Sequence, residues 1–159
     1  MAERIKNHEF VVPNAHCYLS VRIANSQMAF QLQDTLEELG IRVNNPCNID
    51  LVNSAPTDMP NIVGQTCYNM MDNSASIVVI YSENPDDMRR IGRDCATEIG
   101  YTIGKNKPIY ILVNEGTLVT ARQRLTEDLP IHHFDIDENH ITDNVEHLIE
   151  MLNPLITNV

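Results

Sequence analysis

Apolar residues fall along this chain in two patterns that alternate: short unbroken runs, and stripes repeating at three and four. The runs predict strands and the stripes predict helices. Residues 16–21 form a β-rich run and the first predicted strand. Asn25 and Ser26 then offer helix caps, and Ala29, Leu32, Leu36 and Leu39 make a helical stripe that Gly40 ends. Residues 41–43 predict a short second strand. Residues 44–60, rich in Asn, Pro, Ser and Asp, read as a loop. Ile62, Val63, Thr66, Cys67, Met70 and Met71 give residues 61–73 a broad apolar helical face. Ile77–Tyr81 is continuously apolar, as a strand covered on both faces should be.

A polar loop at 82–90 leads to a helix over 91–104, with Ile91, Cys95, Ile99 and Ile103 along one face. Ile109–Val113 is the next apolar strand, started by Pro108. A short helix is predicted at 117–127 and a weak last strand at 133–136. A helix over 142–152 closes the chain, with Val145, Leu148, Ile149 and Leu152 turned inward. Residues 1–13 read as a loose arm ending at Pro13, and there are no repeats. Strands alternating with helices imply right-handed crossovers and a parallel sheet with helices on both faces. The expectation is a single flavodoxin-like or Rossmann-like α/β domain over 1–159, doubly wound, with five parallel strands in the order 2-1-3-4-5. Ligands then bind outside the carboxyl ends of the first and third strands, where the strand order reverses.

With 159 residues, 43% of them hydrophobic, the chain is long enough for one real core. Eleven basic against 22 acidic residues give a net charge of −11, which argues against a nucleic-acid polymer as partner. A single nucleoside or nucleotide, needing only one or two donors, stays compatible with that charge. No segment approaches the ~18 apolar residues of a membrane span, and the first residues lack the apolar stretch of a signal peptide. Cys17, Cys47, Cys67 and Cys95 are at least 20 residues apart, too far for a CxxC pair, and read as reduced thiols of a cytoplasmic protein. His132, His133, His140 and His147 show no third ligand at metal spacing, so neither metal nor cofactor is expected. Met59, Met70 and Met71 read as core or interface residues.

The most informative segment is Arg93-Asp94-Cys95-Ala96-Thr97-Glu98-Ile99-Gly100-Tyr101. On a helix, Asp94 and Glu98 are i and i+4 and lie about 40° apart on one face. Glu98 borders the apolar stripe, and the two acids repel, which favours a proton on one of them. Gly100 and Gly104 cost helix propensity, so a close backbone approach is expected there. The same residues also fit a solvated acidic edge with glycines for helix packing.

Residues 76–113, with Thr97-Glu98-Ile99-Gly100-Tyr101 followed by Gly104-Lys105-Asn106-Lys107-Pro108, resemble the nucleoside 2-deoxyribosyltransferase family. So does the opening Cys17-Tyr18-Leu19-Ser20-Val21-Arg22, and together these cover about half of the chain. The resemblance implies that Glu98 is the nucleophile in cleavage of an N-glycosidic bond, oriented by Tyr18, with the deoxyribosyl group passing to another nucleobase. It also implies a homo-oligomer with sites built across subunits. The family usually carries an aspartate six residues before the glutamate; here that position is Gly92 and the nearest acid is Asp94. An Asn or Asp on the preceding helix has Asn69 or Asp72 as its counterpart. Ser20 and Arg22 are similar to the branch that hydrolyses deoxynucleoside 5′-monophosphates, since arginine pairs with phosphate in a forked geometry. Two other readings stay open: NAD cleavage of the TIR kind, which also uses a glutamate, and a nucleotide-binding protein without catalysis.

Overall fold

The computed structural model describes residues 11–49, 59–82, 91–129 and 139–157. Five strands, β1 (Cys17–Ser20), β2 (Val43–Asn44), β3 (Ile77–Tyr81), β4 (Ile109–Val113) and β5 (Ile141–Thr142), form one sheet. All neighbours are parallel and the order is β2-β1-β3-β4-β5. The helices are α1 (Ser26–Glu38), α2 (Met59–Asp72), α3 (Arg93–Gly104), α4 (Leu118–Asp128) and α5 (Val145–Thr157). The fold is therefore a doubly wound α/β fold of the flavodoxin order, with β3 and β4 as inner strands.

Strand alternation divides the core in two. Ile77, Val79 and Tyr81 of β3 pack with Met70 and Met71 of α2, Ile99 of α3, and Ala121 and Leu125 of α4. Val78 and Ile80 face the other way, towards Ala29, Leu32 and Leu36 of α1 and Leu148 and Leu152 of α5. Both faces of β3 are thus covered, which is why its sequence carries no polar alternation. Each fully buried Leu or Ile contributes about 1.5–3 kcal/mol relative to an exposed one. In β1 the same alternation sends Cys17 and Leu19 to the α1 side and Tyr18 towards α2 and α3. Ser20, two residues on from Tyr18, shares that face, and all four β1 residues are buried.

Polar side chains make the joints. The Asn44 amide accepts from the Val12 backbone N–H at 2.7 Å and donates to the Val12 carbonyl, the Met70 carbonyl and Ser74 Oγ. Val12 is therefore fastened to the end of β2, and the described part of the expected arm, from residue 11, is held to the domain. Lys107 Nζ donates to the carbonyls of Met71 and Asp72, at 2.8 and 3.1 Å. A cation there satisfies the last carbonyls of α2 and complements its dipole.

Several expectations change. The predicted strand at 133–136 lies outside the described residues, and the fifth strand is Ile141–Thr142. Thr142 consequently belongs to the sheet, and the last helix starts three residues later than expected because Asn144 caps it, its side chain accepting from the His147 N–H at 3.2 Å. Leu39 is 57% exposed instead of completing the α1 stripe. It caps the helix, Gly40 turns the chain at φ 79°, and Ile41 takes the buried place. Val145 is likewise exposed, at the first turn of α5. Among the described residues, nothing beyond their own helix lies within 4 Å of where a Cβ of Gly100 or Gly104 would stand, so no described element approaches them closely.

Candidate active site

The reversal of strand order lies between β1 and β3, and there Ser20 and Glu98 meet. Ser20 is the last residue of β1, opposite Val79 of β3. Glu98 lies in the middle of α3, the helix that follows β3. The Ser20 hydroxyl donates to Glu98 Oε1 at 3.1 Å across 78 positions of sequence. Ile99, next in the helix, is fully buried and fixes which face of α3 turns to the sheet. Thr102 Oγ bonds back to the Glu98 carbonyl at 2.8 Å, so the helix is continuous through the site.

The second carboxylate oxygen is in a different position. Glu98 Oε2 is buried and has no hydrogen-bond partner. The Tyr18 hydroxyl, on the same face of β1 as Ser20, is also buried and unpaired. Tyr18 is 1% exposed and its phenol interacts with Glu98 and with the Cys67 thiol. The Tyr18 hydroxyl is thus near enough to Glu98 to favour the carboxylate, although the geometry of a full hydrogen bond is not met. Unpaired polar groups in a packed interior are costly, and each requires an explanation.

Burial pushes the Glu98 carboxyl up from 4.5 to about 7. Tyr18 and Ser20 pull the other way by stabilising the carboxylate, and the negative charge of Asp94 adds to the rise. Near neutral pH the group is thus close to half ionised, the range in which a carboxyl can act as nucleophile, base or acid. Burial, followed by the nearby carboxylate of Glu98, raises the Tyr18 phenol well above its ordinary value, so it stays a neutral donor.

Asp94 is exposed on the first turn of α3, one turn before Glu98. Arg22 lies just beyond β1, its stem crossing Gly92 at the start of α3. Asp72 is not brought to Glu98. It accepts from the Tyr101 hydroxyl at 2.7 Å, at the end of α2 that leads into the amino end of β3. Asn69 is half-buried on α2, where its carbonyl accepts from the backbone and side chain of Asn73. The segment from Ser82 to Glu98 contains residues 83–90, which lie outside the described residues.

Sequence reasoning missed the thiols around the carboxylate. All four cysteines are free. Cys67 of α2 faces Tyr18, Cys95 of α3 faces Ser20, and the charge of Glu98 reaches both and also Cys47. Burial raises Cys67 and Cys95 to about 11, so they line the site as neutral, weakly polar groups. For Cys95 a signal existed, since it is three residues before Glu98 on one helix face. Among the described residues, no group of three or more His, Cys, Asp or Glu is placed to hold a metal ion. Nor is any described helix long and apolar enough to cross a membrane. A separate depression of about 370 Å³ lies beyond β5, lined by Arg122, Thr142, Asp143, His147 and Glu150 among others. None of the residues discussed at the Glu98 site lines it.

What the fold and site define is a class: a doubly wound α/β protein with a glutamate at its switch point whose second carboxylate oxygen is buried. No family model and no curated protein matches the chain.

Proposed function

We propose that this protein cleaves the N-glycosidic bond of a deoxynucleoside through Glu98 and passes the deoxyribosyl group to a second nucleobase. One observation carries this reading: the Glu98 carboxylate has one oxygen tied to Ser20 and the other buried, unpaired and beside the Tyr18 hydroxyl. A carboxylate so held is suited to an oxocarbenium-like sugar, which it stabilises and then traps. In the first step the C–N bond breaks and its electron pair leaves with the base. A Glu98 oxygen forms the new bond to the sugar carbon. In the second step a nitrogen of the incoming base, or water, displaces the carboxylate and loses a proton. Tyr18 and Ser20 hold the carboxylate in place, and Asp94, exposed one turn away, exchanges the proton of the base.

A second reading, hydrolysis of a deoxynucleoside 5′-monophosphate to base and sugar phosphate, is favoured by Arg22, which lies beside Ser20 at the start of α3. Incubation with deoxynucleosides, with their 5′-monophosphates and with NAD, each with and without an added second base, separates the possibilities. Exchange of bases supports transfer. Free base from the monophosphates alone supports hydrolysis, and nicotinamide from NAD alone supports the TIR-like alternative. No product in any mixture contradicts catalysis at Glu98.

A further inference from the structure

The Glu98 carboxylate faces two hydroxyls, and each hydroxyl has a thiol behind it. Ser20 Oγ donates to Glu98 Oε1 at 3.1 Å. Cys95, three residues before Glu98 and so on the same side of α3, interacts with that hydroxyl. The Tyr18 hydroxyl acts on the carboxylate as well, and Glu98 Oε2 is buried without a partner. Cys67 of α2 packs against the same core cluster as Tyr18 and interacts with its phenol from that side. Ser20, Tyr18 and Cys95 are all buried and Cys67 is half-buried. In such an interior the hydroxyls must find their partners in the protein.

A hydroxyl has one proton to give and two lone pairs to fill. The Ser20 proton is on Glu98, which leaves the Ser20 oxygen as an acceptor. A thiol is a weak acceptor, so Cys95 cannot draw the Ser20 proton away from a carboxylate. It can give its own proton to the Ser20 oxygen. Bonds passed along such a chain strengthen one another where water is excluded. Burial raises both thiols to about 11, so the S–H is present over the whole range in which Glu98 titrates. The same accounting holds for Cys67 and Tyr18, whose ring is fixed in the core while its hydroxyl proton is free to turn. Three further groups surround the chain. Asp94 raises Glu98 from the same helix, Cys47 feels the Glu98 charge from the turn Pro46–Asn48, and Arg22 beyond β1 reaches Cys95.

We propose that Cys95 and Cys67 are positioning residues: each gives its S–H to the hydroxyl oxygen in front of it, Ser20 or Tyr18, and so turns that hydroxyl's proton onto Glu98. The inference deepens the nucleophilic reading of Glu98 and rests on it for its use in catalysis, but both of its tests are read without substrate. The first is infrared spectroscopy of the S–H stretch, with each band assigned by its disappearance in Cys95→Ser or Cys67→Ser. In the wild-type protein both bands should lie below the position of a free thiol. Ser20→Ala should return the Cys95 band to that position, and Tyr18→Phe the Cys67 band. A band already at the free position, or one that does not move when its hydroxyl is removed, overturns the proposal. The second test is carbon NMR titration of the glutamate carboxyls, with Glu98 assigned by its absence in Glu98→Gln. Cys95→Ala and Cys67→Ala should each raise the Glu98 midpoint by about half a pH unit, the scale of one weak hydrogen bond. Cys95→Ser and Cys67→Ser lose the sulfur equally but keep a donor, and their midpoints should stay close to wild type. Equal shifts in the Ala and Ser variants, or a fall in the Ala variants as water enters, would mark the thiols as packing alone and overturn the proposal. The predicted shifts in a protein that releases no base from any substrate would refute the glycosidic reaction and leave the positioning role standing.

Discussion

Glu98→Gln should stabilise the protein at alkaline pH and leave its stability at acid pH almost unchanged. The folded state holds the Glu98 carboxyl at about 7 against 4.5 for a free side chain. Between those values the folded chain keeps a proton that the unfolded chain has released, so stability falls as pH rises through this window. Above about 7 the cost is complete. At about 1.4 kcal/mol for each pH unit, it amounts to about 3 kcal/mol. Glutamine keeps the shape and an oxygen for the Ser20 hydroxyl but cannot ionise, so the cost disappears. In a domain of this size 3 kcal/mol corresponds to roughly 6–12 °C in Tm. Thermal and urea melts of both proteins at about pH 4 and about pH 8.5 read the difference on either side of the window. A gain of the same size at both values, or no gain at the higher one, refutes the reasoning. The ionised form that the fold disfavours is also the proposed nucleophile, so on that proposal activity should rise with pH over the range in which stability falls.

Ser20→Ala removes a hydrogen bond that favours the carboxylate. The midpoint of the pH–rate profile should move above 7, with a loss of about 1 kcal/mol in urea melts. Asp94→Asn removes a like charge and should move that midpoint down, by an amount that shrinks in high salt because Asp94 is exposed. Leu125→Ala, at a fully buried position of α4, should cost about 2–5 kcal/mol in denaturant melts and leave the pH–rate midpoint where it was.

The two inner strands were legible because Ile77–Tyr81 and Ile109–Val113 are apolar on both faces. β5 was not, since a two-residue edge strand leaves almost no periodic signal. Thr142 was assigned to the helix because nothing in its type reveals that Asn144, two residues on, is the cap. At the site, Tyr18 and Ser20 entered through the family resemblance, and helical spacing placed Glu98 beside Asp94 and the buried stripe. The contact of Arg22 with Gly92 was hidden because it joins residues 70 positions apart through a side chain that is absent. Asp72 entered through the family resemblance; in the structure it is exposed at the end of α2 and accepts from the Tyr101 hydroxyl. The Lys107-Pro108 joint turned out to cap α2, which separates its architectural role from the chemistry of Glu98.

The central claim is that Glu98 forms a bond to the sugar. Brief incubation with a deoxynucleoside carrying a good leaving base, followed by acid quench, proteolysis and mass spectrometry of the peptide containing Glu98, tests it most directly. The account predicts a deoxyribosyl adduct on that peptide in the wild-type protein, its loss when a second base is added, and no adduct in Glu98→Gln. Full release of base by the Gln variant, or an adduct on any other residue, contradicts it.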